Sequence, residues 1–369
     1  MRMAQLTDKR LEKLHQIQEQ LSVRNGDLYI WGAAKTAEKI TAFITENSTL
    51  SAAAYVVDDL YFKEGTFLGR PLIKASEFFK KVTEKDHVIL GFMQYDRVRE
   101  LEKELQSYVS FSFFPIPLSP YADGVCLDRA FYEKHKERFE STRGILSDEI
   151  SGQTFDSFVN AHMTGNTEQL DSLYAKGQYF NELTSVCRPG CFVDCGAYIG
   201  DTIQAAIDFL GSRVERIIAF EPDPENIKKL KQYINIEENK IRIKILQKGS
   251  YDKPTVLKFS SSSDMNSAIS ENGNLTIETD TIDHAAEDMG EISFIKMDIE
   301  GSELKSILGA ADTIRKYHPI LAVCAYHKPE DLLELPEAIR KITDDSGYKY
   351  YLRYHGPGLL ELVLYVIPE

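Results

Sequence analysis

No block of lysine and arginine stands anywhere in the 369 residues, and the formal charge is −14. A chain this acidic is a poor partner for a nucleic-acid backbone or an anionic membrane surface, although a local basic pocket is not excluded. Long apolar runs are also missing near the start. MRMAQLTDKRLEKLHQIQEQL has the pattern of a charged amphipathic helix, not of a signal peptide or membrane span, so a cytoplasmic location and no membrane span are expected. Cysteines number five, and three of them fall within nine residues, which implies no secreted disulfide framework. Those three, Cys187, Cys191 and Cys195, are spaced C-x3-C-x3-C, one residue off the C-x3-C-x2-C loop of a radical-enzyme cluster. No histidine accompanies them at zinc-finger spacing, so small cysteines buried along a strand are the plainer reading, and no metal is assigned. The glycine pattern G-x-G-x-x-G of a dinucleotide site is absent too, as is any short-period repeat.

What is present is an alternation of short apolar runs with amphipathic stretches, on a composition 43 % hydrophobic that supports a sizeable core. DLYIW, SAAAYVVDD, DHVILGF and VSFSFFPI read as strands of a small Rossmann-like α/β domain over residues 1–120. PIPLSP, with three prolines in six residues, marks a rigid turn, and residues 121–187 read as a linker and helical connector that includes the polar break AHMTGNTEQ. A second alternation fills 188–369, with strands CFVDCG, RIIAFEP, IRIKILQKG, VLKFSS, NLTIETDTI, ISFIKMDI and PILAVCAY. It closes with YKYYLRYH and LELVLYVIP around Gly356-Pro357-Gly358, a hairpin signature. Parallel strands and helices ending in an antiparallel hairpin have the architecture of a class I methyltransferase, so the expected fold is α/β with that Rossmann-like sheet.

Three cofactors compete for the turn in FVDCGAYIGD. A dinucleotide needs backbone close to two phosphates at a helix N-terminus, and an acid just before the turn is poorly placed for it. Asp194, followed by Gly196-x-x-x-Gly200, suits the amino group and sulfonium of S-adenosylmethionine, although a tight strand-to-helix turn with no ligand is also consistent. Glu221 ends the next apolar strand, 25 residues after Gly196, where a carboxylate can accept both ribose hydroxyls. Its alternative role is a helix-start acid before Pro222-Asp223-Pro224-Glu225. Gly249 and Ser250 end the third strand, where an adenine edge would lie. FIKMDIEGSEL places Lys296, Asp298 and Glu300 at alternate positions, which would set three charges on one face of a strand end. Such charges are costly unless paired or functional. Glu300 has two other readings, a cap on the next helix or a partner for Lys296. His327, in AYHKPEDL at the next strand end, could take a proton from an attacking hydroxyl or simply bond to backbone at a helix start. Asp298, Glu300 and His327 are the candidate catalytic residues, and a metal held by them is chemically possible.

FVDCGAYIGDT, IIAFEPDPENIKKL, FIKMDIEGSELKSILGA and AYHKPEDLLELPEAI, in that order, resemble the FkbM family of S-adenosylmethionine-dependent methyltransferases. The resemblance covers about residues 178–369. It implies a class I fold, S-adenosyl-L-methionine as cofactor, and O-methylation of a hydroxyl on a sugar, glycan or related natural product. It implies donor contacts from Asp194, Gly196, Ala197, Tyr198, Gly200, Asp201, Glu221, Pro222, Gly249 and Ser250. Cys195 and Tyr198 depart from the family pattern. IWGAAKTAEKI resembles the N-terminal Rossmann unit found beside sugar-modifying enzymes, with Ala34 and Ala37 where glycines would favour a phosphate. That leaves substrate presentation, a nucleotide-sugar moiety or homodimerisation as its expected roles. Two rivals stay open: an NAD(P)-dependent oxidoreductase using the first domain, and a catalytically silent binding module. Acceptor specificity is expected in Val125–Val186 and in the polar segment Ser260–Asn274.

Overall fold

Among the described residues, the runs that alternate along the chain form two large sheets covered by helices and a third, small sheet. A computed structural model of the chain describes residues 8–92, 95–114, 126–233, 241–260, 268–269, 275–356 and 358–369. They fall into two compact units, one of 1–118 with 158–169 and one of 119–157 with 170–369. Residues 121–187, expected as a connector of their own, are divided between these units. PIPLSP and most of Ser260–Asn274 lie outside the described residues. No helix among the described residues is long and apolar enough to cross a membrane.

The first unit holds β1 (Leu28–Trp31), β2 (Ala52–Val57), β3 (Thr66–Phe67), β4 (Arg70–Lys74), β5 (His87–Leu90) and β6 (Ser110–Phe113). Their order is β3-β4-β2-β1-β5-β6, parallel except for the β3–β4 pair. β1 and β5 are buried at every residue, as continuous apolar runs in a doubly covered sheet must be. Leu14, Ile17 and Leu21 of helix Lys9–Arg24, with Ala37, Ile40 and Ile44 of helix Lys35–Asn47, close one face. Phe78, Val98, Leu101 and Leu105 close the other. The sequence pattern gives no hint of β4, because RPLIK opens on an exposed Arg-Pro pair, and proline has no N–H for a ladder. Gly32, in the small-residue turn after β1, has φ +121°, and a Cβ there would stand 2.7 Å from the Gly91 carbonyl oxygen. The adjacent strand end is therefore reason enough for that glycine.

His162, near the end of helix Glu149–Thr164, belongs to this unit by packing. It is 8 % exposed, and neither ring nitrogen has a hydrogen-bond partner among the described residues. Burial, and secondarily the Arg10 charge, push its pKa down to about 3. The folded value lies below the unfolded one, so the unfolded chain binds the extra proton. Stability is then full above about pH 6.5 and falls as the pH drops toward 3, by about 2 kcal/mol at pH 5. His162→Phe is expected to remove that portion of the acid sensitivity. Urea unfolding at pH 7 and pH 5 checks it, and an unchanged pH dependence in the variant would refute it.

The second unit is built on β7 (Gly190–Cys195), β8 (Val214–Phe220) and β9 (Arg242–Leu246), then β10 (Gly249–Ser250), β11 (Val256–Ser260), β12 (Ala268–Ile269) and β13 (Leu275–Asp280). β14 (Ile292–Met297), β15 (Ile320–Cys324), β16 (Tyr348–Tyr354) and β17 (Leu362–Pro368) complete it. Seven of these make one sheet of order β16-β17-β15-β14-β7-β8-β9, in which β17 runs antiparallel to both neighbours and the other pairs are parallel. This is a Rossmann-like methyltransferase sheet closed by an antiparallel hairpin. β10 to β13 stand apart as a small sheet of order β10-β13-β11-β12, so VLKFSS and NLTIETDTI do not extend the main one.

Phe192 and Phe294 face each other across β7 and β14 with ring centroids 5.5 Å apart, and Phe180 covers both. The exposed ladder of β16 is met by chain from before the sheet. Ser147 N–H donates to the Tyr350 carbonyl, Ser147 and Ser151 hydroxyls accept from Tyr350 and Leu352 N–H, and Ala175 N–H donates to the Tyr354 carbonyl. That covering removes an open edge.

Candidate active site

β7 ends at Cys195, and the chain turns through Gly196-Ala197-Tyr198-Ile199-Gly200 into helix Asp201–Leu210. Gly196 has φ +85°, and a Cβ there would stand 2.0 Å from the Asp298 carbonyl oxygen, so only glycine fits between the ends of β7 and β14. Gly196 and Ala197 N–H both donate to the Phe220 carbonyl at the end of β8. Tyr198 is held at φ +45° with its side chain turned toward solvent. Its N–H donates to Glu221 Oε2 at 2.9 Å, and Glu221 Oε1 accepts from Asp223 N–H at 2.9 Å and Asn226 Nδ2 at 3.3 Å. Glu221 is 6 % exposed. Burial raises its pKa, and these three hydrogen bonds work against that rise. Glu221 thus fastens the turn after β7 to the turn after β8. Pro222 leads from it into helix Pro224–Tyr233, and Asp201 is the exposed first residue of its own helix.

Four expected donor contacts stand differently. Asp194 is fully buried, and its carboxylate is answered by Lys296 Nζ at 3.1 Å, so its charge is spent inside the sheet and not open to a ligand's amino group. Register explains this, because Lys296 on β14 lies directly opposite Asp194 on β7. Gly249 and Ser250 do not end the third strand, which stops at Leu246, but pair with Thr279 and Asp280. The buried Ser250 hydroxyl is bonded to Ser306 Oγ at 2.8 Å, which leaves Gly249 the more accessible of the two. Ala197 is buried completely and has only backbone to offer. Cys187, Cys191 and Cys195 lie in the interior, and burial pushes the Cys191 and Cys195 thiols up to about 12.

The ends of β14 and β15 carry a dense group of ionisable side chains. Lys296 does not share one face of a strand end with Asp298 and Glu300, because β14 stops at Met297 and Glu300 sits at φ +54°. Asp298 Oδ2 accepts from the Tyr179 hydroxyl at 2.9 Å, while Oδ1 stands 3.5 Å from His327 Nε2. Glu300 Oε2 is 3.6 Å from the same nitrogen, and Glu303 Oε1 is 3.0 Å from Nδ1. Burial would raise the Asp298 carboxyl, but Lys296, His327 and the Tyr179 hydroxyl hold it below the usual range. Burial pushes Glu300 up to about 7 and Asp331 up to about 8. Burial alone would lower His327, yet Glu303, Glu300 and Asp298 carry it up to about 10. Asp298, Glu300 and His327, read separately from the sequence, therefore meet at one place.

Sequence reasoning missed Glu303, Asp331 and Tyr179. Glu303 opens helix Glu303–Leu308 and reads as an ordinary helix-start acid, but it is fully buried and accepts from Ile299 N–H at 2.8 Å. Asp331 is the same kind of residue on helix Asp331–Ile342, accepting from Lys328 N–H at 2.7 Å. Tyr179 comes from chain before β7, and no periodicity links it to a strand end 119 residues later.

The sheet order of the second unit is that of a Rossmann-like methyltransferase fold. Residues 194–350 match the family model described as the Methyltransferase FkbM domain, so the resemblance to that family stands. Among solved structures, the methyltransferase FkbM from Methylobacillus flagellatus KT superposes with a TM-score of 0.65 at 23 % identity, covering 95 % of this chain and 92 % of that one. Less similar are a structure described as a putative rRNA-methylase from Clostridium thermocellum (TM-score 0.34, 10 % identity, 50 % of this chain and 90 % of that one) and Aeropyrum pernix fibrillarin with natively bound S-adenosyl-L-methionine (TM-score 0.32, 12 % identity, 52 % and 71 %). Comparison with curated proteins finds no match.

Proposed function

We propose that the chain is an S-adenosylmethionine-dependent O-methyltransferase acting on a hydroxyl of a sugar, glycan or related natural product. The observation that carries this reading is Glu221, a buried carboxylate at the end of β8 tied to the glycine turn at the end of β7. In a doubly wound sheet ligands sit beyond the strands' carboxyl ends, and an acid at this place suits the two ribose hydroxyls of an adenosyl group. The Gly196–Gly200 turn would lie along the methionine end. Asp194 would act indirectly, by fixing Lys296, whose Nζ donates to the Gly196 carbonyl at 2.8 Å. The bound donor supplies the electrophilic methyl. Asp298 and His327, with Glu300 at the rim, would orient the acceptor hydroxyl and receive its proton. Tyr179 brings the region before β7 to Asp298, which supports Val125–Val186 as a determinant of the acceptor.

Thermal shift and calorimetry with S-adenosylmethionine, its demethylated product and NAD test the reading. Both sulfur compounds are expected to raise the melting temperature and NAD is not. Asp298→Asn and His327→Ala should retain the donor response. No response to either sulfur compound would overturn the proposal, and a response to NAD alone would favour the oxidoreductase reading.

A further inference from the structure

Asp298, Glu303 and His327 each bring one potential ligand atom within 4.8 Å of the others. An acidic cluster alone means little, but the atoms here are short of partners. His327 is 4 % exposed, and its Nε2 makes no hydrogen bond among the described residues. Glu303 is fully buried, and its Oε2 has no partner either. A structural imidazolium would point its N–H groups at oxygens about 2.7–2.9 Å away. Instead Nε2 stands 3.5 Å from Asp298 Oδ1 and 3.6 Å from Glu300 Oε2, beyond hydrogen-bond reach. Nδ1, by contrast, is 3.0 Å from Glu303 Oε1, which leaves Nε2 as the nitrogen without a close acceptor. Ligands bound to one ion at about 2.0–2.2 Å stand roughly 3 to 3.5 Å from each other, which is the spacing at Nε2.

We propose that Asp298, Glu300 and His327, the last through Nε2, bind a divalent cation of the Mn2+ type, with Glu303 holding Nδ1 from behind. One imidazole with carboxylates, and no thiolate, is a donor set for Mn2+, Mg2+ or Zn2+ and not for a cluster or Cu(I). Asp298 is held by the Tyr179 hydroxyl, and Glu303, itself fixed by Ile299 N–H, stands at Nδ1, the kind of outer support that orients a ligating imidazole. Asp298 and Glu300 are each partly exposed, so the cation keeps positions open toward solvent. Given the methyl-transfer reading on which this role rests, those positions take the acceptor hydroxyl together with a neighbouring oxygen. In this arrangement Asp298 and His327 act through the cation and not as the base themselves: the hydroxyl would lose its proton to water, its oxygen would form the bond to the methyl carbon as the carbon–sulfur bond breaks, and the sulfonium would leave as a neutral thioether. The cation changes no oxidation state. The acceptor class is thereby narrowed to chelating ones, such as vicinal diols or hydroxy-carbonyl compounds.

The test is titration of the EDTA-treated full chain with Mn2+, followed by electron paramagnetic resonance of the free ion, and by calorimetry with Mg2+ and Zn2+. One saturable Mn2+ per chain is expected, weakened at least tenfold in Asp298→Asn and His327→Gln and unchanged in the distant surface variant Asp312→Asn. Asp298 is part-exposed, so its variant is informative even where Glu303→Gln fails to fold. No saturable binding of any of the three ions to a chain that responds to S-adenosylmethionine would overturn the cation site alone. Equal binding by Asp298→Asn, His327→Gln and wild type, all with native circular dichroism, would do the same. Variant-dependent Mn2+ binding by a chain that ignores S-adenosylmethionine would support the site and overturn the donor reading.

Discussion

Glu221→Ala is expected to weaken binding of S-adenosylmethionine and its demethylated product by at least about 100-fold, the equivalent of two charge-assisted hydrogen bonds to a ribose. The same carboxylate accepts from Tyr198 N–H, Asp223 N–H and Asn226 Nδ2, so its loss leaves donors of two turns without their acceptor. A stability loss of roughly 1–3 kcal/mol should accompany the affinity loss. Glu221→Gln separates the two effects. It keeps the side chain's volume and one accepting oxygen, so it should recover much of the stability, but its amide must turn toward one of the two N–H groups or one ribose hydroxyl. Its donor affinity should fall between wild type and Glu221→Ala. Calorimetry with the demethylated product, beside urea unfolding of the same preparations, measures both quantities. Wild-type affinity in a folded Glu221→Ala chain would remove Glu221 from the donor site.

Glu221 was legible in the sequence because it ends an apolar strand, and a carboxylate there has few reasons to exist. The same logic reaches Asp298 and His327, which follow β14 and β15 by one and three residues. It stops where a residue's meaning depends on its partner. Periodicity reports which face a side chain takes and not what lies across from it. Asp194 reads as an acid before a glycine turn, and only the register of β7 against β14 shows that Lys296 stands opposite. That register contains an irregularity between Ile292 and Phe294, which no single-strand pattern can reveal. Gly196 is similar. The glycine pattern suggests close approach of a ligand, whereas the backbone that crowds it is the chain's own Asp298 carbonyl. Glu303 and Asp331 were hidden by their position, since acids are ordinary at helix starts and only burial marks these two as different.

Lys296→Met should be among the most destabilising single changes in the second unit, at about 3–5 kcal/mol near pH 7, because it strands a carboxylate in the sheet interior. Asp194 is fully buried and Lys296 is 2 % exposed, with Phe192 and Phe294 next to them in the register. Burial already pushes the Asp194 carboxyl up to about 6, and the Lys296 ammonium keeps it from going higher. Burial pulls Lys296 down, but Asp194 and Asp298 more than offset this and keep it charged. A raised carboxyl pKa in the fold means that the folded chain binds the proton more readily than the unfolded one. Its contribution is therefore most favourable below about pH 4 and is lost as the pH rises through the folded pKa. In Lys296→Met that folded pKa moves higher still. The deficit relative to wild type should consequently be largest at neutral pH and shrink toward pH 5, opposite in sense to the acid loss expected from His162. Asp194→Asn combined with Lys296→Met should recover at least half of the deficit at pH 7, because a neutral amide needs no counter-ion. The Gly196 carbonyl would still lack its donor, so donor affinity should recover less than stability does. Urea unfolding of the single and double variants at pH 5 and pH 7 decides it. A Lys296→Met deficit below 1 kcal/mol, or one independent of pH, would mean that no buried charge pair joins β7 to β14.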